Sequence, residues 1–446
     1  MSLSIAAEAL NAPLIGSDAI FKGVSTDTRS LQADDLFVAL RGPNFDGHHF
    51  LANAIDVGAA GALLDHKVDT ILPYIQVPDT TRALGVLASF WRQQFEIPVI
   101  AITGSNGKTT VKEMLKSILS EQGQVCATEG NLNNHIGLPL TMLRLSRQDR
   151  FLILEMGMNH KGEIDYLSRL AHPTVALINN AARAHLVGVG DIRDVALVKG
   201  EIFNGLDGKA VINADDQFSD LWIEQVKPRE YMTFALDHKA DVTALYQNTK
   251  AGLLIQLHTP EGEIEMKVPF LGKHNVMNAL AASTAAMMAG ASLKDIKAGM
   301  KKLKQISGRL EIKKGINGAC VLDDTYNANP DSLAAGIQVL KDHGGERVLV
   351  LGDMAELGKA GKDIHKQVGE LARQVGISRV FALGALTKKT ARSFGKQGKH
   401  FNSHQELVEA LQDCMHGDMT ILVKGSRLMH MEQVVNGITQ QPGAAK

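Results

Sequence analysis

Residues 103–110 read TGSNGKTT and follow directly on the apolar run IPVIAI at 97–102. Small, polar and cationic groups in this order suit one task, the holding of a polyphosphate. Gly104 and Gly107 let backbone amides close on an anion, and a helix starting behind them adds its partial positive charge. Lys108 can reach the terminal phosphates, and the Thr109 hydroxyl can ligate Mg²⁺. The loop is G-x-x-G-K-T, two residues shorter than the common G-x-x-x-x-G-K-[ST], whose first glycine would fall on Ile102. The N-K-x-D signature by which GTPases read guanine is absent, so ATP is the expected nucleotide.

Such a loop works only where a buried strand delivers it to a helix. IPVIAIT has the apolar continuity of a buried strand, and TTVKEMLKSILSEQG at 109–123 places Val111, Met114, Leu115, Ile118 and Leu119 on one helical face. Further apolar runs alternate with helical patterns: FLILEMG (151–157), TVALINNA (174–181) and KAVINADD (209–216). A second series holds ACVLDDTYNANP (319–330), RVLVLGDM (347–354), RVFALG (379–384) and MTILVKGSR (419–427). This alternation predicts an α/β protein with mostly parallel sheets covered on both faces. Three domains are expected: a small N-terminal α/β unit at 1–82, a central phosphate-loop sheet at 83–310 and a doubly wound, Rossmann-like domain at 311–446. The expected strands end in polar residues, Thr103, Glu155, Asn179, Asp323, Asp353 and Lys424, and ligands in open α/β sheets sit beyond the carboxyl ends of strands.

With 446 residues, 45% of them apolar, the chain can bury several cores, and its formal net charge of -1 points to neither a nucleic acid nor a membrane as partner. Cys126, Cys320 and Cys414 lie far apart and form no C-x-x-C, which fits a reducing cytoplasm. The N-terminus has no basic start followed by an apolar segment, and the least polar later stretch, around Ala279 to Ala291, is too short to span a bilayer. A monomer free of membrane insertion is expected.

The shortened loop resembles the ATP loop of the Mur ligases, enzymes that build the peptidoglycan peptide, and of the related folylpolyglutamate synthetases. GNLNNHIGLPLT (130–141), LEMGMNHKGEI (154–164), VKGEIF (198–203), GKHNVMNALAA (272–282), SGRLE (307–311), DDTYNANPDS (323–332), LGDMAELG (351–358) and VKGSR (423–427) extend the resemblance over nearly the whole chain. Within the family they are most similar to the members that join D-alanyl-D-alanine to UDP-N-acetylmuramoyl-tripeptide. The resemblance implies an ATP-driven amide synthesis through an acyl phosphate, with one or two Mg²⁺ ions and several basic side chains among the crowded anions.

The resemblance also implies roles. ATP would lie against Thr103, Gly104, Ser105, Asn106, Gly107, Lys108, Thr109 and Thr110, with Asn275 and Asn278 near the adenine and phosphates and Asp324 and Tyr326 near the ribose; Asp323 is the less favoured neighbour. Glu155 would share a Mg²⁺ with Thr109, and His185 and Lys199 would serve a second. Lys199 falls where the family carries a carbamylated lysine; a carbamate ligand and a plain ammonium both fit the sequence. Around His185 the chain reads ARAHLVGVGD, with Val187 and Val189 where the family has a Glu and an aromatic residue. Arg309, at the expected hinge between the second and third domains, could bridge to the phosphates on closure. Lys108, His185, Lys199 and Arg309 are thus the expected catalytic set. Ser25, Thr26, Asp27 and Arg29 in VSTDTRS, and Asp46, Gly47 and His48 in NFDGHHF, match segments that hold the UDP moiety, although Ser, Thr, Asp and Gly equally make turns. Asn131, Asn133, Asn134, Asn327 and Asn329 are expected against the remaining substrate, with local turn-making as the alternative.

Overall fold

The computed structural model describes residues 1–182, 190–249 and 252–440. The strand Val99–Thr103 is buried along its whole length, because five residues without a charge can face helices on both sides of a sheet. It lies in a six-stranded, entirely parallel sheet ordered Tyr231–Phe234, Lys209–Asn213, Val175–Ile178, Val99–Thr103, Asp149–Glu155, Gln124–Ala127. After Val99–Thr103 the chain runs out to the edge strand Gln124–Ala127, returns through Asp149–Glu155 and then continues on the opposite side. The phosphate-loop strand therefore stands at the topological switch point, where a crevice opens.

Helix Lys108–Leu119 turns Val111, Met114, Leu115, Ile118 and Leu119 into the core on one face of this sheet. Helix Lys273–Met288 shares that core and is buried from Asn275 to Met288 at every position but Met277. Its Ala, Ser and Thr side chains are short enough to let neighbouring elements approach. The apolar stretch around Ala279 is therefore interior, and no helix among the described residues is long and apolar enough to cross a membrane. The opposite face is covered by Leu138, Met142, Leu167, Ile202 and Trp222, whose indole donates to Ala196 O at 2.9 Å.

An antiparallel sheet of Thr243–Thr249, Gly252–Thr259 and Gly262–Val268 was not among the expected runs. It buries Leu253, Ile255, Leu257, Met266 and Val268 and leaves the intervening Gln256, Glu265 and Lys267 in water. This half-buried alternation is interrupted by polar residues and reads weakly beside the continuous runs of a parallel sheet.

The N-terminal sheet is ordered Leu14–Ile15, Tyr74–Gln76, Gly61–Leu64, Asp35–Val38, Gly23–Ser25 and is parallel except for its first edge. Helix Thr80–Arg92, capped by Asp79, runs across residue 82: Ala83, Leu84 and Leu87 join the N-terminal core, whereas Ala88 joins the central one. The C-terminal sheet is ordered Glu311–Lys314, Cys320–Asp324, Met419–Lys424, Glu346–Gly352, Arg379–Leu383, Gly398–Phe401, with only Glu311–Lys314 antiparallel.

Candidate active site

A cleft of about 1150 Å³ opens between the carboxyl ends of the central and C-terminal sheets. Its floor is the phosphate loop. Gly107 has φ +82° and caps helix Lys108–Leu119 without a side-chain bond, so the first helical amides are left for an external acceptor. A Cβ at Gly107 would collide with Asn278 and Asn179, so only glycine closes the loop here. Lys108 folds back to donate to Gly104 O at 2.6 Å. Burial pulls its ammonium below the usual lysine range; Glu155 opposes the shift and Arg309 adds to it.

Thr109 Oγ1 donates to Glu155 Oε2 at 3.0 Å, and Asn133 Nδ2 donates to Glu155 Oε1 at 2.9 Å. A hydroxyl and a carboxylate are hard oxygen donors, the set Mg²⁺ takes. Behind Glu155, its own amide donates to Thr128 Oγ1 at 3.0 Å, and the buried Lys112 donates to Thr128 O at 2.7 Å. Lys199 is buried in the last turn of helix Ile192–Gly200. Burial holds its amine well below the usual lysine range; Lys108 reinforces this, and Asp216 opposes it.

A chain of amides fastens the loop from one side. Asn179 Nδ2 donates to Asn106 O at 2.9 Å and to Asn278 Oδ1 at 3.0 Å, and Asn278 Nδ2 donates to Asn275 Oδ1 at 2.9 Å. From the C-terminal domain, Asn329 Nδ2 donates to Asn106 Oδ1 at 2.7 Å. Arg309 lies over the Tyr326 ring, 4.0 Å from its centroid, and Nη2 reaches Thr109 Oγ1 at 3.4 Å. Arg309 Nε and Asn179 Oδ1 are buried and lack a hydrogen-bond partner among the described residues, a state native proteins rarely leave unused. Lys424 pairs with Asp324 at 2.5 Å.

The Mur ligase catalytic-domain pattern matches residues 20–92, the Mur ligase middle domain matches 102–286, and the Mur ligase glutamate ligase domain matches 308–427. The UDP-N-acetylmuramoyl-tripeptide--D-alanyl-D-alanine ligase of Escherichia coli K12 is 42% identical, the match covering 99% of this chain and 98% of that protein. The chain belongs to the Mur ligase family. The Bacillus subtilis protein of the same name is 38% identical over 95% of this chain and 94% of its own. A crystal structure of MurF from Acinetobacter baumannii superposes with a TM-score of 0.91 at 34% identity, covering 97% of both chains. MurF from Thermotoga maritima in complex with ADP gives 0.82 at 25% identity, covering 93% of this chain and 96% of that one.

In this Mur ligase the cleft gathers Gly104 to Thr110, Glu155, Lys199, Asn275, Asn278, Arg309, Asp324 and Tyr326, together with Asn131, Asn133, Asn134, Asn327 and Asn329. Thr103 lies beneath the loop, its hydroxyl donating to Met156 O. Asn134 Oδ1 accepts from Ile136 N and Gly137 N at the start of helix Gly137–Leu143, and Asn329 caps helix Pro330–Lys341 while reaching Asn106. His185, Val187 and Val189 lie outside the described residues. Ser25, Thr26, Asp27, Arg29, Asp46, Gly47 and His48 are in the N-terminal domain and do not line this cleft. There, Arg29 holds Asp27 down to about 2, and His48, through its amide and then its ring, does the same for Asp46. His48, Asp65 and His66 bring their ligand atoms within 4.8 Å of one another, but Arg41 sits 3.2 Å from Asp65 and 3.1 Å from His66 and neutralises the group.

Sequence reasoning did not give a role to Lys112, Thr128, Asp216 or His274, nor to Asn180, whose Oδ1 accepts from Asn106 N at 2.9 Å, or Asn213, whose Nδ2 donates to Asn179 O at 2.8 Å. Asn179, Asp323 and Lys424 carried the strand-end signal. Asp353 carried the same signal and is structural: its carboxylate accepts from Leu386 N, Thr387 N and Thr387 Oγ1 at the start of helix Thr387–Phe394, which follows the neighbouring strand Arg379–Leu383.

Proposed function

We propose that this Mur ligase joins D-alanyl-D-alanine to UDP-N-acetylmuramoyl-tripeptide, with ATP cleaved to ADP and phosphate, as a step of peptidoglycan precursor synthesis in the bacterial cytoplasm. The observation that carries the reading is the phosphate loop facing Arg309 and the Thr109–Glu155 pair in one cleft, in a chain whose relatives bear that ligase's name. A tripeptide carboxylate oxygen attacks the γ-phosphorus and ADP leaves. The dipeptide amine then adds to the acyl carbon, and the tetrahedral intermediate expels phosphate while the nitrogen loses its proton.

Both steps crowd anions together, and Lys108 and Arg309 are the cations of this chain placed against them. Thr109 and Glu155 would hold Mg²⁺, which when bound neutralises phosphate oxygens; His185 and Lys199 are assigned to a second ion. The depressed amine of Lys199 favours carbamylation, since only a neutral amine attacks CO₂ and the resulting anion is attracted by Lys108. Asn275 and Asn278 face the adenine side, and Asp324 and Tyr326 the ribose. Ser25 to Arg29 and Asp46 to His48 hold the UDP moiety in the domain at 1–82. The domain at 83–310 binds ATP, and the one at 311–446 receives the dipeptide.

Phosphate release by the purified protein tests the reading. Turnover should require ATP, UDP-tripeptide and D-alanyl-D-alanine together, and Lys108→Ala should abolish it while the protein stays folded. Turnover with a free amino acid in place of the dipeptide would overturn the assignment.

A further inference from the structure

Seven non-glycine residues among those described adopt positive φ: Asn11, Asp34, His172, Leu310, Asn317, Glu356 and His430. Six are polar, and short polar side chains such as Asn, Asp and His ease this conformation by bonding their own backbone. Leu310, at φ +54°, has no such means. A left-handed leucine persists only where its surroundings over-determine it. Here they do so, because its side chain is 4% exposed and packs with Leu271, Leu322, Leu333 and Ile337 in the core of the C-terminal domain.

Leu310 directly follows Arg309. On the other side, Gly308 is also left-handed, at φ +69°, and its carbonyl accepts from Tyr326 N at 3.1 Å. Arg309 N donates to Ile306 O at 3.1 Å. Strand pairing begins only at Glu311, opposite Asp323. The two left-handed residues thus turn the chain out of the sheet on either side of Arg309. Its guanidinium is carried over Tyr326 toward Thr109, with Nε left without a hydrogen-bond partner among the described residues.

We propose that Leu310 is a positioning residue: its buried side chain and its left-handed backbone together aim Arg309 across the cleft at the phosphate loop. The C-terminal core thereby sets where the phosphate-facing cation stands. This rests on the reading of Arg309 as a phosphate contact. Leu310→Gly permits the turn but removes the anchor, Leu310→Met keeps both, and Arg309→Ala removes the group being aimed.

The full-length enzyme would be assayed by phosphate release with ATP, UDP-tripeptide and D-alanyl-D-alanine, with folding followed by circular dichroism. Leu310→Gly should lower kcat about tenfold and move KM for ATP by less than about threefold, and Leu310→Met should restore kcat to within about twofold. Leu310→Gly combined with Arg309→Ala should fall no further than Arg309→Ala alone, because a residue acting through another adds nothing once that group is gone. A merely structural role would instead multiply the two losses, and that result overturns the proposal. So does wild-type kcat in Leu310→Gly while Arg309→Ala is impaired. If Arg309→Ala itself turns over like wild type, the reading of Arg309 fails, and the positioning role fails with it. Should Leu310→Gly not fold, Leu310→Ala takes its place with the same outcomes.

Discussion

His274 stands in the first turn of helix Lys273–Met288, facing the Asp324–Lys424 pair. Burial is the main cause pushing its imidazole down from 6.5 to about 4; Asp324 opposes the shift and Lys424 adds to it. The partial positive charge at the helix start acts in the same downward direction. Above pH 6.5 the ring is neutral whether the chain is folded or not, and it contributes nothing to the pH dependence. As pH falls below 6.5 the unfolded chain takes up a proton that the folded ring refuses, so stability drops by about 1.4 kcal/mol per pH unit until pH reaches about 4. Over the whole window the loss is about 3 kcal/mol, an upper figure because the half-buried ring retains part of its solvation. Urea unfolding of wild type and His274→Asn at several pH values isolates this term, since the other titrating groups cancel in the difference. Between about pH 7.5 and 5, wild type should lose about 2 kcal/mol more than the variant. Parallel curves would show that the ring is not kept neutral by its surroundings and would refute the reasoning.

Lys199→Met should abolish turnover yet leave the protein at least as stable at neutral pH, because an amine held well below its usual range opposes folding whenever the unfolded chain is protonated. That penalty is full below the folded pKa and vanishes as pH rises toward 10.5, so thermal melts of the two proteins should converge in alkali. Lys424→Met leaves the carboxylate of Asp324 buried without the partner now 2.5 Å away; chemical denaturation should show a loss of about 3–5 kcal/mol, largely recovered when Asp324→Asn is added. Thr109→Val keeps the side-chain volume but removes the hydroxyl shared with Glu155 and Arg309. It should melt near wild type while kcat/KM for ATP falls about ten- to a hundredfold, and full activity would exclude the hydroxyl from the site.

Much of this protein was legible without coordinates. The phosphate loop is contiguous, and its strand, glycines, lysine, threonine and amphipathic helix are all local properties of the single stretch 97–123. The parallel strands were equally plain, since a strand buried on both faces must be apolar throughout. What tertiary structure decided was which polar strand ends share a space. Glu155 and Asp353 look alike in sequence, yet one meets Thr109 across the switch point and the other caps a helix. The clasp of Asn179 on Asn278 joins residues 99 apart, and Arg309 meets Thr109 across 200. Lys112 reads as one more polar position on an amphipathic helix until Thr128 is brought against it. Periodicity and turn chemistry act over a few residues and so are written locally. The direction a side chain takes into a cleft depends on which strands become neighbours, and no single segment carries that information.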